Sequence, residues 1–309
     1  MEDLPAPDIG PGLVRVQVAF AAVNFPDVLI VADTYQLHAP PPFVPGSELA
    51  GVVTEVAPDV GTVTVGDRVT GTVLVGTFAE EAVVPATSVR PVPDGVDLRT
   101  AAAFGVAHRT ANHVLLSVAR LQSGEVLVVL GAGGGVGLAA VQLGALLGSE
   151  VVAVASSADK LAAASACGAT HLVDHRTEDL RASLRAAFPR GVDVVVDPVG
   201  GDLAELALRS LRWGGRFVTV GYASGVIPRI PLNLVLLKGV QVVGFEFAGF
   251  ATNRLDELRR NDDELDALLA SGRIVPHIGA TYPLDDTAAA LALVGRGEAI
   301  GKILIEIAP

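Results

Sequence analysis

Two hydrophobic rhythms divide the chain. Ahead of Leu98 the apolar runs are short and broken by Gly and Pro. Leu13–Ala19 alternates as VRVQV, the period of a half-buried strand. LAGVVTEV (Leu49–Val56), DRVTGTVL (Asp67–Leu74), Ala79–Val84 and Val89–Val92 continue the series, with turns at Pro58-Asp59 and Gly66-Asp67. This pattern predicts a compact, mostly antiparallel β domain. Leu98–Ala119 then reads as a helix. From Glu125 the rhythm changes. Apolar strand-like runs at Val126–Leu130, Val151–Ala155, His171–Val173, Val192–Asp197, Arg216–Val220 and Val240–Phe245 alternate with helix-like runs at Val136–Leu147, Ala158–Ala166, Leu180–Ala187 and Leu203–Leu211. Repeated βα units of this kind predict an α/β fold with a doubly wound parallel sheet. Arg254–Ala270 and Asp285–Val294 read as charged, exposed helices. Ile303–Ile307 reads as a closing strand that returns to the β domain and makes it discontinuous.

The junction of the first strand and helix of the second regime is VLVVLGAGGGVGLAAVQLGALLGS, Val126–Ser149. Gly131, Gly134 and Gly137 recur every third residue, with Gly133 and Gly135 between them and Val136 at the helix start. Glycines at a strand-to-helix turn let backbone amides approach a pyrophosphate at the positive end of the helix. The following strand, VVAVA, completes the unit that this fingerprint requires. A dinucleotide is therefore the expected ligand. Val126–Gly148 lacks charge, but five central glycines and the missing positive flank argue against a membrane span.

The second strand ends Ala155-Ser156-Ser157, where an NAD-specific site usually has a carboxylate. Serine hydroxyls accommodate a 2′-phosphate, and Lys160, one helical turn on, can pair with it. Charge-assisted hydrogen bonds of this kind contribute roughly 1.5–3 kcal/mol each. Asp159 is a neighbouring opposing charge. The balance favours NADPH.

Composition narrows the partners. The chain has 309 residues, enough for two ordinary domains, with 50% apolar and 18% charged positions and a net charge of −12. A surface of that sign repels nucleic acid on average. The single cysteine, Cys167, excludes internal disulfides and cysteine-rich metal sites and reads as inert core. The N-terminus shows neither the basic nor the apolar region of a signal peptide, so a cytoplasmic setting without membrane attachment is the expectation. The six histidines fall into no ligand spacing, so no metal site is expected. No Ser/His/Asp or Cys/His set suggests covalent catalysis.

VNFPD (Val23–Asp27), VPGSELAG (Val44–Gly51), GDRV (Gly66–Val69), the glycine loop, VDVVVDPVGG (Val192–Gly201), GGRFVTVGYASG (Gly214–Gly225) and IGKIL (Ile300–Leu304) extend over nearly the whole chain. Together they resemble the zinc-independent, zeta-crystallin-like quinone oxidoreductases of the medium-chain dehydrogenase/reductase superfamily. The resemblance implies a GroES-like, mostly antiparallel β-barrel domain from residues 1–104 and 249–309. It implies a Rossmann domain over 105–248. Zinc-dependent relatives place a Cys near Asn24 and a His near Ser47, and carry a four-cysteine lobe; here those ligands are missing. Without a Lewis acid, an acceptor that already takes hydride is favoured, a quinone or an activated enone.

The resemblance places Asn24 and Asp27 near the nicotinamide, although both residue types also cap helices. Of two aromatic positions near the acceptor, Tyr35 keeps the tyrosine and Leu29 departs from it. Glu48 is more structural than catalytic in the family. Cofactor contacts carry over to Thr110, to Asp197, Val199 and Gly200, to Gly221 and Tyr222, to Phe245 and Phe247 ending the sixth strand, and to Lys302. His175 stands where relatives place a tyrosine near the phosphate. The implied activity is NADPH-dependent reduction of a small quinone or enone. The alternatives are an enoyl-thioester reductase and a non-catalytic, NADPH-binding structural or regulatory protein. The apolar Val240–Phe245 strand is expected at a sheet edge, where relatives pair into homodimers. The family also begins with a further strand pair ahead of the segment that here starts at Glu2, so an uncovered edge is expected.

Overall fold

The computed structural model describes Pro5 and residues 7–307; residues 1–4, where the abrupt start was expected, lie outside them. Two compact units emerge, residues 1–106 with 267–309, and residues 107–266.

In the first unit, β1 (Leu13–Val23) leads into α1 (Phe25–Val31), then β2 (Glu48–Val56), β3 (Arg68–Thr72), β4 (Glu81–Pro85) and β5 (Val89–Pro91). α2 (Leu98–His113) runs from this unit into the second and continues as a turn of π-helix, Val114–Val118.

The second unit follows with β6 (Val126–Leu130), α3 (Gly135–Leu146), β7 (Glu150–Ala155), α4 (Ala158–Ala166), β8 (His171–Asp174), α5 (Leu180–Ala187), β9 (Val192–Asp197), α6 (Asp202–Ser210), β10 (Leu211–Thr219), α7 (Leu232–Lys238), β11 (Gln241–Gly244) and α8 (Phe247–Asn253). The unit border falls within α9 (Leu255–Ala270). The chain then closes the first unit with β12 (Ile278–Pro283), α10 (Thr287–Gly295) and β13 (Lys302–Glu306).

The first unit is a GroES-like β domain. Its seven-stranded sheet runs β12-β13-β1-β2-β3-β5, with β4 also pairing β1. Every pair is antiparallel except β12–β13. The alternation read in VRVQV is the structural one: Val14, Val16 and Val18 point into a core with Leu49, Val69, Ile303 and Ile305. β13 pairs β1 from Phe20↔Glu306 to Val23↔Ile303, so the last strand does return to the β domain. The Asp285–Val294 segment, expected to be exposed, instead packs one face on that core, because Ala290, Leu291 and Val294 share it.

The second unit is a Rossmann sheet of six parallel strands in the order β11-β10-β9-β6-β7-β8. Leu127–Leu130, Val151–Val154 and Val194–Val196 are closed to solvent, as strands covered on both faces must be. Each such side chain contributes roughly 1.5–3 kcal/mol through burial. The strand order reverses direction of growth between β6 and β9. This switch point opens a crevice beyond the strands' carboxyl ends.

Residues 249–266 lie with this unit, where the family resemblance implied the β domain. The reason is a buried polar seam. Arg109 of α2 pairs with Asp262 (2.7 Å) and Asp266 (3.1 Å) of α9, and His113 approaches Asp262 at 3.2 Å. Asn261 donates to Ser117 Oγ at 2.9 Å. α9 is therefore one-sided where an exposed helix was expected: its charges on this face are sequestered, and Leu265 is buried as well. Among the described residues no helix is long and apolar enough to cross a membrane.

Candidate active site

The second unit builds a nucleotide cradle. Gly131 ends β6 at φ 62°, a left-handed conformation that L side chains rarely adopt, and a Cβ there would lie 2.5 Å from Val199. A Cβ on Gly137 would press into the Gly131 carbonyl and reach 2.8 Å from Ala132 Cα, so the helix can pack this tightly only with glycine. Gly134 donates its N–H to Gly131 O (3.0 Å), and α3 begins with the Leu138 N–H to Gly134 O bond (2.8 Å). The amides of Gly135, Val136 and Gly137 thus lie in the first turn, without intrahelical acceptors, at the positive end of the helix dipole.

Lys160 completes one side of the cradle. Ser157 caps α4, its hydroxyl accepting the Lys160 N–H at 3.4 Å. The lysine alkyl chain lies over Gly133, where a Cβ would meet its carbons at 2.5–2.8 Å. Its ammonium donates to Ser156 Oγ at 3.1 Å, at the carboxyl end of β7. His175 follows β8, its N–H donating to Ala155 O at 3.1 Å. Burial pushes its imidazole below the ordinary histidine value; Arg176 and Lys160 add to this, and Asp174 opposes it. Lysine, histidine and serines thus gather at one strand end, while Asp159 is exposed.

A second wall forms beyond β9 and β10. Asp197 is fully buried, and its Oδ1 accepts the N–H groups of Val199 and Gly200, both at 2.8 Å. Burial raises its carboxyl above the usual range, those two amides opposing. The loop with Gly221 and Tyr222 interlocks with it: Ala223 N–H donates to Pro198 O, Ser224 N–H to Val199 O and Gly201 N–H to Val226 O. Tyr222 sits against Gly200, 2.9 Å from where a Cβ would lie. Thr110 is buried on α2.

Phe245 and Phe247 do not end the sixth strand as expected. β11 stops at Gly244, and Phe247 opens α8 after the Glu246 cap. Both rings pack with Phe250 around His113, whose ring centroid lies 4.8 Å from that of Phe250 and 6.0 Å from that of Phe247. This buried His113 nest, with Arg109, Asn261 and Asp262, was not foreseen in the sequence. The available signal was polar Arg109, Asn112 and His113 at helical spacing on one side of an alanine-rich helix.

The first unit holds a separate buried polar cluster. Asn24 follows β1 and is the N-cap of α1. Asn24 and Asp27 form a capping box at the start of this helix, Asp27 Oδ2 accepting the Asn24 N–H at 2.7 Å, and the Asn24 amide also reaches Glu48. Its Nδ2 donates to Glu48 Oε2 (3.0 Å), with Ala22 O at 3.3 Å and Ser47 Oγ at 3.5 Å, and its Oδ1 accepts from Lys302 at 2.6 Å. Lys302 also donates to Glu48 Oε2 (3.0 Å) and Val23 O (3.4 Å). The three protons of its ammonium therefore have acceptors within this unit. Glu48 Oε1 accepts the Val106 N–H at 2.7 Å and would collide with any Cβ on Gly105. Glu48 and Lys302 are 0% and 4% exposed, which makes the cluster a buried ion pair with nearly every polar atom engaged. Burial pushes the Asp27 carboxyl up to about 6, Glu48 adding to the rise, while Ser47, the Asn24 N–H and Lys302 oppose it. Tyr35 is partly exposed in the loop beyond α1.

A catalytic zinc would need three or four Cys, His or carboxylate ligands around one point. Among the described residues no group of three or more His, Cys, Asp or Glu side chains could hold a metal ion, so the residues present do not fit zinc. The glycine cradle, by contrast, has the shape and polarity that a dinucleotide requires.

Comparison with known proteins agrees with this geometry. Residues 10–94 match the alcohol dehydrogenase GroES-like domain family, and residues 135–261 match a family described as zinc-binding dehydrogenase. Quinone oxidoreductase-like protein 2 of Bos taurus is 35% identical over 99% of this chain and 88% of its own length. The crystal structure of Escherichia coli quinone oxidoreductase complexed with NADPH is similar with a TM-score of 0.88 and 29% identity, over 99% of this chain and 94% of that one. CurK enoyl reductase gives a TM-score of 0.86 and 25% identity, over 98% and 94% of the two chains. The chain belongs to the zinc-independent quinone oxidoreductase family of the medium-chain dehydrogenase/reductase superfamily.

Proposed function

We propose that this protein reduces quinones or activated α,β-unsaturated carbonyls with NADPH, by direct hydride transfer and without a metal. The observation that carries the reading is Lys160. Its alkyl chain lies on the glycine loop and its ammonium on Ser156, at the strand end where a carboxylate would repel a 2′-phosphate. Gly135, Val136 and Gly137 would receive the pyrophosphate, and Lys160, Ser156, Ser157 and His175 the ribose phosphate. Gly131, Gly133 and Gly134 would admit the backbone approach. Val199, Gly221 and Tyr222 would border the nicotinamide half, with Asp197 holding the loop, and Thr110, Phe245 and Phe247 would support it. Bound there, the nicotinamide supplies a hydride. Similarity to quinone oxidoreductases, one of them complexed with NADPH, supports both cofactor and acceptor class.

In the first unit, Asn24 and Asp27 would serve the acceptor, with Tyr35 as a candidate contact. Lys302 would act through Asn24 and Glu48, its ammonium fixing the Asn24 amide. Similarity to CurK enoyl reductase favours a second reading, reduction of an enoyl thioester by the same hydride chemistry. Oxidation of NADPH, with NADH in parallel, should be measured across quinones, enones and enoyl thioesters. Turnover by NADPH with at least one of these acceptors is expected. Saturable NADPH binding with no oxidation by any of them would select a non-catalytic role.

A homodimer is part of the proposal. β11 is an edge strand with Val242 exposed, and neighbouring α7 presents Leu232, Leu236 and Leu237 at 70–80% exposure. An apolar edge of this kind is a pairing surface.

A further inference from the structure

The nest around His113 lies wholly within the second unit. The imidazole is fully buried, and a ring nitrogen enclosed without a partner is costly. Here both nitrogens have one. Nε2 lies 3.2 Å from Asp262 Oδ1, and Nδ1 lies 3.4 Å from Asn261 Nδ2. The same Asn261 nitrogen donates to Ser117 Oγ at 2.9 Å. An amide nitrogen has two protons, so one goes to the serine and the other to Nδ1. Nδ1 is therefore an acceptor, and Nε2 carries the ring proton that Asp262 accepts. Asp262 is itself held, its Oδ2 pairing with Arg109 at 2.7 Å. The imidazole cannot turn over without breaking this chain.

Three aromatic rings rest on the fixed imidazole. Phe250 lies 4.8 Å away, Phe247 6.0 Å, and Phe245 6.4 Å and nearly parallel at 22°, measured between ring centroids. Only Phe245 and Glu246 connect β11 to α8, so these rings set the course of that connection. Its other anchors are backbone bonds. Phe245 N–H donates to Thr219 O at 3.0 Å, one residue past the end of β11, and the Glu246 carboxylate accepts the Ala248 and Gly249 N–H groups. Val220, Gly221 and Tyr222 follow Thr219 directly. The connection thus runs at the carboxyl end of the parallel sheet, where such sheets receive ligands. An apolar side chain at position 113 would fill the nest but hold it by no directional bond, whereas a fully satisfied buried polar network specifies one arrangement.

We propose that His113 is a positioning residue for the nicotinamide half of the cofactor: tied to α9 at both nitrogens, with its proton on Nε2, it fixes the Phe245–Phe247 connection. The inference rests on the NADPH reading above. Replacing the ring's hydrogen bonds should therefore weaken recognition of the nicotinamide half and spare the phosphate end, where Lys160 and the glycine loop lie.

The test uses the full-length protein and the variants His113→Phe, His113→Gln and Asn261→Leu, with two nucleotides. Adenosine 2′,5′-bisphosphate has the phosphates that the cradle would receive but no nicotinamide. His113→Phe should raise the Kd for NADPH about 10-fold and leave that for the bisphosphate within about 2-fold. His113→Gln restores a donor toward Asp262 and should return NADPH to within about 3-fold of wild type. Asn261→Leu leaves the histidine in place, removes the donor to Nδ1 and should raise the NADPH Kd about 3-fold, which keeps the test open if His113→Phe does not fold. Nitrogen-15 NMR of labelled histidine in the unliganded wild type should show one resonance pair with the proton on Nε2 alone, identified by its loss in His113→Gln. A wild type that binds neither nucleotide would remove the cofactor reading itself. Wild-type binding with NADPH affinity unchanged in His113→Phe and Asn261→Leu, equal weakening of both nucleotides, a glutamine variant no better than phenylalanine, or a proton on Nδ1 would overturn the role of His113.

Discussion

Replacing Lys302 by Met isolates what the buried ion pair contributes. The ammonium is 4% exposed and its partner Glu48 is fully enclosed, 3.0 Å away. Met approximates the alkyl stem, so little packing is lost. What is lost is the positive charge beside Glu48 and the donor to Asn24 Oδ1. Removing one partner of a buried pair leaves an uncompensated charge and costs about 3–5 kcal/mol. With a urea slope of about 2 kcal/mol per molar, the unfolding midpoint of the first unit should fall by about 2 M. Circular dichroism is the suitable signal, since the single tryptophan, Trp213, lies exposed in the other unit. Adding Glu48→Gln removes the stranded charge while keeping an acceptor for the Val106 N–H, and should recover most of the loss. A Lys302→Met midpoint within about 0.3 M of wild type, or a double variant no more stable than the single, would refute the reasoning.

Lys160→Glu should raise the Kd for NADPH by one to two decades, roughly, and leave NADH nearly unchanged, as read by nucleotide fluorescence titration; equal loss for both would remove the phosphate role. Gly137→Ala forces a methyl into the Gly131 carbonyl and should abolish NADPH binding in the same titration, whereas unchanged affinity would contradict the cradle geometry. Asp27 binds its proton more tightly folded, at about 6, than unfolded, at 3.8. Its contribution is complete below about pH 4 and lost through pH 6, about 3 kcal/mol across that window, and Asp27→Asn should erase this slope in urea midpoints measured against pH. Leu236→Asp should convert the dimer to monomer in sedimentation at micromolar concentration; a wild-type protein already monomeric there would refute the edge pairing.

Much of the Rossmann unit was legible because its code is local. The strands Val126–Leu130 and Val192–Asp197 and the helices Ala158–Ala166 and Leu180–Ala187 occupy the expected residues, since closed apolar runs bounded by glycine leave few alternatives. Elements whose stability is tertiary were harder. α7 and α8 are short helices with little intrinsic persistence, and β12 is stabilised by parallel pairing to β13, which no local pattern announces. α9 looked solvated because its Asn261, Asp262 and Asp266 are polar; their partners Arg109, His113 and Ser117 lie far away in sequence. The same holds for the polar cluster. Asn24 and Asp27 were visible as a local pair, but Lys302 joins them across the β1–β13 pairing, which only the fold creates.

The central claim is hydride delivery from NADPH without a metal. It is tested most directly by NADPH oxidation with a quinone or enone, in protein stripped by chelator and verified metal-free by mass spectrometry. Full turnover in that protein, saturable in NADPH and far less efficient with NADH, is the predicted result. Activity that vanishes on stripping and returns with stoichiometric zinc would contradict the account.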